Sequence, residues 1–99
     1  MTPTLTSAQI SKLKALAQRL EATLKIGKAG LSDAFLQTVN ETLSHHELIK
    51  VKFAEFKEDK KQLAPMLAEK SSSHLVTLIG NVAVLYRPQA DPERRKIVV

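Results

Sequence analysis

The sequence lacks cysteine and contains only three glycines and four prolines in 99 residues. The absence of cysteine excludes disulfide bonds, thiolate metal sites, iron–sulfur clusters and cysteine nucleophiles, and it suits a reducing compartment. The low glycine and proline content excludes collagen-like and low-complexity chains. A chain of this length has room for one hydrophobic core, and an apolar fraction of 43% is enough to fill it. The sequence therefore predicts a single compact domain.

Aromatic residues are also scarce, at 4% of the chain. Phe35 and Phe53 fall on apolar faces of predicted elements, which leaves Phe56 and Tyr86. A base-stacking platform of the RRM type needs several exposed aromatic residues on central strands. If the protein binds a nucleic acid, we therefore expect it to contact phosphates and to read shape more than it stacks on bases.

Long hydrophobic segments are missing as well. The longest uncharged run, Ser71 to Tyr86, is shorter than the ~20 residues of a membrane-spanning helix, and Gly80-Asn81 interrupts it. The amino terminus has no basic segment followed by an apolar one, which is the pattern of a secretory signal. We therefore expect a soluble, cytoplasmic protein without a membrane partner.

Positive charge is in excess and unevenly distributed. The chain has a formal net charge of +5. Residues 1–30 contain five basic residues and one acidic residue, whereas residues 31–49 contain three acidic residues and no lysine or arginine. Such a bias favours an anionic partner, although many soluble domains without one have a similar net charge.

Hydrophobic periodicity and turn residues predict three helices and four strands. Thr6 and Gln9 have capping-box spacing before the first helix, and Ser32 suits the cap of the second. Gly80-Asn81 is a two-residue hairpin signal. Pro65 is expected to fit the third helix only close to its start. The predicted helices cover about residues 7–20, 32–45 and 59–70, and the predicted strands cover 23–26, 47–56, 75–79 and 82–86.

This order predicts an α/β fold, α-β-α-β-α-β-β, with a four-stranded mixed sheet and three helices. Strands that alternate with helices imply parallel crossovers, and the final hairpin adds an antiparallel strand. Residues 1–90 are predicted to form the domain. Residues 91–99, with Arg94, Arg95 and Lys96, are predicted to form a basic tail.

The most informative segment joins the first strand to the second helix. Gly27 and Gly30 enclose Lys28 and Ala29 in a turn, and Lys25 lies just before it. Glycines permit positive φ and a close approach of another backbone, and free amides at the start of a helix favour phosphate oxygens. This is the arrangement of the GXXG loop of KH domains, which holds a nucleic-acid backbone. An ordinary strand-to-helix turn that needs glycine is the alternative. We call residues 27–30 the GxxG loop.

Other signals for chemistry are weak. The GxxG loop is not a Walker motif, because the upstream glycine is missing and Ala29 replaces serine or threonine. His45-His46 has no third metal ligand nearby in the sequence. The adjacency of Ser73 and His74 is not evidence of a catalytic dyad, which spatial geometry decides, and Glu58-Asp59 is expected to form a solvated turn. The sequence predicts no enzyme, no metal and no cofactor.

Basic residues outside the GxxG loop allow two interpretations. Lys50 and Lys52 share a strand face with Leu48, opposite the apolar face of the same strand. They either extend a basic surface or simply form the solvent side of that strand. The first helix carries three further basic residues: Lys12, Lys14 and Arg19.

Three segments together resemble the YhbY family, a stand-alone form of the CRM domain (chloroplast RNA splicing and ribosome maturation). They are LKIGKAGL at residues 24–31, HELIKVK at residues 46–52, and Ile79-Gly80 with LYRP at residues 85–88. The resemblance covers about residues 5 to 90. It implies a fold similar to the C-terminal domain of translation initiation factor three. It also implies RNA binding and, for short bacterial members, association with precursors of the large ribosomal subunit. Pro65 and the tail depart from the family pattern.

The sequence thus predicts a monomeric, non-enzymatic RNA-binding protein that assists ribosome assembly and contacts ribosomal RNA in large-subunit precursors. A protein-interaction module that docks on a ribosomal protein is the alternative, and DNA binding is a weaker third. The predicted RNA-binding residues are Lys12, Lys14, Arg19, Lys25, Gly27, Lys28, Ala29, Gly30, Lys50, Lys52 and Arg87.

Overall fold

Three helices and four strands follow one another in the predicted order. The computed structural model describes residues 5–20, 24–89, 91 and 93. The helices are α1 (Ser7–Ala17), α2 (Asp33–His45) and α3 (Lys60–Lys70), and a short 3₁₀ helix, Lys57–Asp59, precedes α3. The strands are β1 (Leu24–Ile26), β2 (Leu48–Phe53), β3 (His74–Ile79) and β4 (Val82–Tyr86).

Side chains cap the starts of α1 and α2 as predicted. The hydroxyl of Thr6 accepts a hydrogen bond from the Gln9 amide at 3.2 Å, and the Gln9 side chain accepts one from the Thr6 amide at 2.9 Å. The hydroxyl of Ser32 accepts from the Phe35 amide at 3.2 Å. Each bond satisfies a backbone amide that the helix itself leaves free.

The strands form one sheet in the order β1-β2-β4-β3. β1 and β2 are parallel because α2 crosses between them, whereas β4 is antiparallel to both β2 and β3. The predicted mixed sheet of four strands is therefore confirmed. The registers bring the ends of β1, β2 and β3 and the start of β4 together at one end of the sheet, which we call the loop end.

Both faces of the sheet carry helices, so the molecule has three layers. α2 and α3 cover one face, where Ile49, Val51 and Phe53 of β2 are fully buried. α1 packs on the other face through Leu13 and Ala17, which belong to a cluster with Leu48 of β2. The alternation of β2 predicted in the sequence is confirmed, since neighbouring residues enter opposite clusters.

β3 contains a register shift against β4. Leu75 pairs with Leu85 and Thr77 pairs with Val84, so Val76 is an extra residue on β3. This two-against-one arrangement is a β-bulge, which interrupts the alternation of side chains along the strand.

The second strand is shorter than predicted, and ends at Phe53 instead of Phe56. The following residues leave the alternating pattern. The amide of Glu55 donates to the carbonyl of Ile26 at 3.1 Å. Phe56 then takes a left-handed conformation, with φ 57° and ψ 33°, which no regular strand contains.

The first helix is also shorter than predicted, and ends at Ala17 instead of Leu20. The amide of Arg19 donates to the carbonyl of Leu16 at 3.2 Å, and that of Leu20 donates to Ala17 at 3.0 Å. These bonds span three residues, so the chain tightens into a 3₁₀-like turn where the α-helix ends.

Pro65 lies inside α3, in its second turn, rather than at its start. A proline there has no amide to donate to the carbonyl of Lys61. Both residues are exposed, so the carbonyl that the proline leaves free lies on the solvent side of the helix. The cost of an unpaired backbone group is smallest at such a place.

The described residues show no helix with the length and hydropathy of a membrane-spanning segment. The radius of gyration is 12.7 Å, close to the ~13 Å typical of a compact domain of 100 residues. Apart from Asp91 and Glu93, the predicted basic tail lies outside the described residues. The domain boundary at residue 90 remains a prediction.

Candidate functional site

The GxxG loop is a tight, exposed turn at the loop end of the sheet. The amide of Gly30 donates to the carbonyl of Gly27 at 3.0 Å, which places Lys28 and Ala29 at the two central, exposed positions. Gly30 has a φ of +63°, a conformation that side chains disfavour. A Cβ built on Gly27 would meet nothing within 4 Å. The two glycines therefore differ: Gly30 is needed by the turn, whereas Gly27 leaves open space beside the backbone.

The start of α2 lies directly after this loop. Ser32 satisfies the amide of Phe35, and within the described residues the amides of Asp33 and Ala34 have no acceptor. Free amides and the helix dipole make this end of α2 positive. Asp33 places a carboxylate in the same turn. An anion is therefore better accommodated at the tip of the GxxG loop than on the axis of α2.

Two lysines lie side by side on the sheet next to the GxxG loop. Lys25 of β1 and Lys52 of β2 are partners in the parallel register, and both are exposed. Paired strands lie about 4.8 Å apart. Like charges at that spacing repel each other, and a bound anion would relieve the repulsion. Lys52 is thus exposed beside Lys25, which agrees with both interpretations left open by the sequence.

Lys50 has a different environment from Lys52. Its side chain is half-buried, and its Nζ donates to the backbone carbonyl of Leu20 just after α1. Together with Lys14 of α1 it lines a groove between that helix and the strands. The structure therefore separates the two lysines of β2: Lys50 joins α1 to the sheet, and Lys52 remains with Lys25.

Arg87 lies at the opposite end of the sheet from the GxxG loop. Its guanidinium donates to the side chain and carbonyl of Asn40, at 2.8 and 2.9 Å, and to the carbonyl of Ser71 at 2.8 Å. A longer bond of 3.3 Å reaches the hydroxyl of Ser44. Burial lowers the pKa of Arg87 from its usual value, but an arginine remains charged at neutral pH. These contacts give Arg87 a structural role, and a contact with RNA remains a prediction.

The two remaining predicted basic residues of the amino-terminal segment are Lys12 in α1 and Arg19 in the turn after α1. Lys12 is exposed on the helix surface. Arg19 lines a shallow groove with His45, His46 and Leu48, at the start of β2. The structure therefore brings together one subset of the predicted RNA-binding residues at the loop end: Lys25, Gly27, Lys28, Ala29, Gly30 and Lys52.

Two exposed apolar residues near the GxxG loop were missed in the sequence. Phe56 and Met66 are 41% and 44% exposed. An edge of the Phe56 ring lies 3.3 Å from the position that a Cβ on Gly30 would take. Phe56 falls out of phase with the alternating residues of β2 and directly precedes a charged segment. These two features mark it as a loop residue rather than a strand residue.

Ser73 and His74, one of the polar pairs considered in the sequence, enter separate structural contacts. The hydroxyl of Ser73 lies 2.8 Å from that of Ser71, whereas the ring of His74 stacks on Tyr86 with centroids 6.1 Å apart. Burial lowers the pKa of His74. In the part of the chain that the structure describes, no three histidine or acidic side chains form a group that could hold a metal ion.

Comparisons with known proteins agree on one family. Residues 5–87 match the family model of the CRS1/YhbY (CRM) domain. An "RNA-binding protein" of Haemophilus influenzae is 37% identical over 89 residues, which cover 89% of this chain and 90% of that protein. The "Probable RNA-binding protein YqeI" of Bacillus subtilis is 38% identical over 84 residues, which cover 84% of this chain and 88% of that protein.

A solved structure also matches the fold. The solution structure of a protein from Staphylococcus aureus has a TM-score of 0.77 and 34% sequence identity, and the match covers 96% of this chain and 100% of the other. The family model and the relatives therefore span the whole three-layer domain, including the GxxG loop. This chain belongs to the CRS1/YhbY (CRM) domain family.

Proposed function

We propose that this chain is a non-catalytic RNA-binding protein that contacts the RNA backbone through the GxxG loop and assists assembly of the large ribosomal subunit. The observation that carries the proposal is the exposed turn itself. It presents Lys28 at its tip, beside the start of α2 and the paired lysines 25 and 52. The names of the relatives in Haemophilus influenzae and Bacillus subtilis support RNA as the ligand.

The physical argument for a phosphate contact combines space with charge. The open space at Gly27 lets a phosphate approach the backbone of the turn, which a Cβ would hinder. Lys28 supplies a mobile positive charge at the same point, and its exposed position leaves the side chain free to follow the ligand. Lys25 and Lys52 extend the positive surface along the sheet.

Ribosomal RNA in large-subunit precursors is the proposed partner. This step rests on the resemblance to short bacterial members of the family, since a phosphate-binding loop alone does not select among RNAs. The basic surface would bind RNA without sequence preference, and the shape of the folded RNA would provide the selection.

The test is sedimentation of a cell lysate at low and at high salt, together with equilibrium binding to ribosomal RNA, duplex DNA and purified ribosomal proteins. We expect comigration with a large-subunit precursor that high salt abolishes, and an RNA affinity that falls steeply with salt because counterions are released. A protein that stayed at the top of a low-salt gradient would refute the assembly role. Salt-insensitive binding to a ribosomal protein would instead support the docking alternative.

A further inference from the structure

An open groove lies between the GxxG loop and α3. Residues 29–31 line it on one side, and Gln62, Leu63 and Met66 line it on the other. Phe56, Asp59 and Lys70 also line it, and a Cβ added to Gly30 would lie 3.3 Å from the Phe56 ring. Nothing in the phosphate contact proposed above uses these side chains.

The groove exposes more apolar surface than a plain turn requires. Phe56 and Met66 are two of only four large hydrophobic residues that are exposed within the described residues. Phe56 is 41% exposed, so part of its ring surface is open to a flat ligand. A base can stack on such a ring regardless of its identity.

The charges around the groove favour a neutral base inside it over a phosphate. Asp59 contributes a carboxylate to the lining, which disfavours an anion inside the groove. Lys28 lies on the GxxG loop next to the lining residue Ala29, and Lys70 lies at the α3 side. The groove thus has cations at both sides and a carboxylate inside. This arrangement suits an RNA strand whose phosphates stay outside the groove while a base enters it.

We propose that this groove holds one unpaired base of the RNA strand whose phosphate lies on the GxxG loop, with Phe56 as the stacking surface. The inference rests on the proposed function and adds its substrate class: RNA with a single-stranded or bulged nucleotide. A paired base is unavailable for stacking on the ring, so a continuous duplex would leave the groove empty.

The experiment compares Phe56→Ala with Ile79→Ala, because Ile79 is an equally apolar, 61% exposed residue that does not line the groove. The probes are a single-stranded RNA octamer and a blunt RNA duplex, titrated over a series of salt concentrations. Phe56→Ala should weaken octamer binding by about 5- to 150-fold, the loss expected for one stacked base. Its salt slope should stay at the parent value, since no phosphate contact is removed. Duplex binding, and both affinities of Ile79→Ala, should match the parent.

A second variant keeps the test independent of the folding of Phe56→Ala. The chain contains no tryptophan, so Phe56→Trp introduces a single fluorescent reporter in the groove. The octamer should quench this tryptophan, whereas inorganic polyphosphate, which has charge but no bases, should not. Ile79→Trp is the matched control and should show no quenching with either probe.

The outcomes separate this inference from the proposed function. In one outcome the parent binds the octamer with a steep salt dependence, Phe56→Ala binds it with the same affinity, and Phe56→Trp is not quenched. The groove then does not hold a base, and the proposed contact of the GxxG loop is unaffected. If the parent binds neither RNA, both proposals fail. If Phe56→Ala retains RNA binding but loses binding to purified large-subunit proteins, the groove binds a peptide and this inference is wrong.

Discussion

Replacing Lys28 by alanine and Ala29 by aspartate reverses the charge at the tip of the GxxG loop. Both side chains are exposed, and the hydrogen bond that closes the turn joins only backbone atoms of Gly27 and Gly30. The free energy of unfolding should therefore change by no more than about 0.5 kcal/mol. A unit charge about 4 Å from a phosphate interacts with it by about 1 kcal/mol in water. The loss of one positive charge and the gain of one negative charge should together cost about 2 kcal/mol, or about 30-fold in RNA affinity.

The assay is fluorescence anisotropy with ribosomal RNA fragments over a series of salt concentrations. Lys28→Ala alone should reduce the slope of log affinity against log salt by about 0.7 on single strands or 0.9 on duplexes, the value of one phosphate contact. Lys61→Ala is the matched control, since Lys61 is an exposed lysine on α3 outside the predicted site. A folded double variant that bound RNA with the affinity and slope of the parent would refute the loop contact. The basic residues of α1 would then be the leading candidates.

Three further predictions concern the glycines of the GxxG loop, the contacts of Arg87 and residues 91–99. Gly30→Ala should destabilise the protein by about 1–2 kcal/mol in urea unfolding, because the φ of Gly30 is +63°. Gly27→Ala should leave the free energy of unfolding nearly unchanged. Equal losses for the two variants would contradict the difference drawn between the two glycines. Arg87→Ala should cost about 1.5–3 kcal/mol in the same assay, because it leaves part-buried acceptors without their charged donor, and a loss below about 0.5 kcal/mol would show that these bonds are structurally unimportant. Deleting residues 91–99 should leave the thermal unfolding midpoint unchanged and weaken RNA binding only modestly, and a large drop in that midpoint would mean that the end of the chain packs on the core.

The sequence predicted the order and type of the three α-helices and four strands because each carries a regular local signal. The alternation of β2 and the caps at Thr6 and Ser32 depend on neighbouring residues alone, and the structure contains them as predicted. The end of β2 could not be placed in the same way. Phe56 has a high strand propensity, but it lies beyond the last residue of β2 and takes a left-handed conformation just before the 3₁₀ helix.

The candidate site was predictable only where its residues are close in the sequence. The GxxG loop lies in one short segment, so its turn could be read directly. The neighbouring positions of Lys25 and Lys52 depend on the pairing of β1 with β2, which the sequence gives only through the predicted topology. The sequence left Lys50 and Lys52 equivalent, and the packing of α1 distinguishes them by drawing Lys50 towards Leu20. The groove beside Phe56 requires a contact between the loop and α3, for which no local pattern exists.

The bulge at Val76 affects how the sheet resists aggregation. β1 and β3 are the two edge strands, and each has unpaired backbone groups that another chain could extend into a larger sheet. β1 is only three residues long and carries the exposed Lys25, two features that oppose such an addition. β3 is longer, and its end carries the exposed Ile79, so its protection depends on the bulge between Leu75 and Thr77. A bulge twists an edge strand and breaks its regular spacing of donors and acceptors, which disfavours the pairing of a second copy along the whole strand.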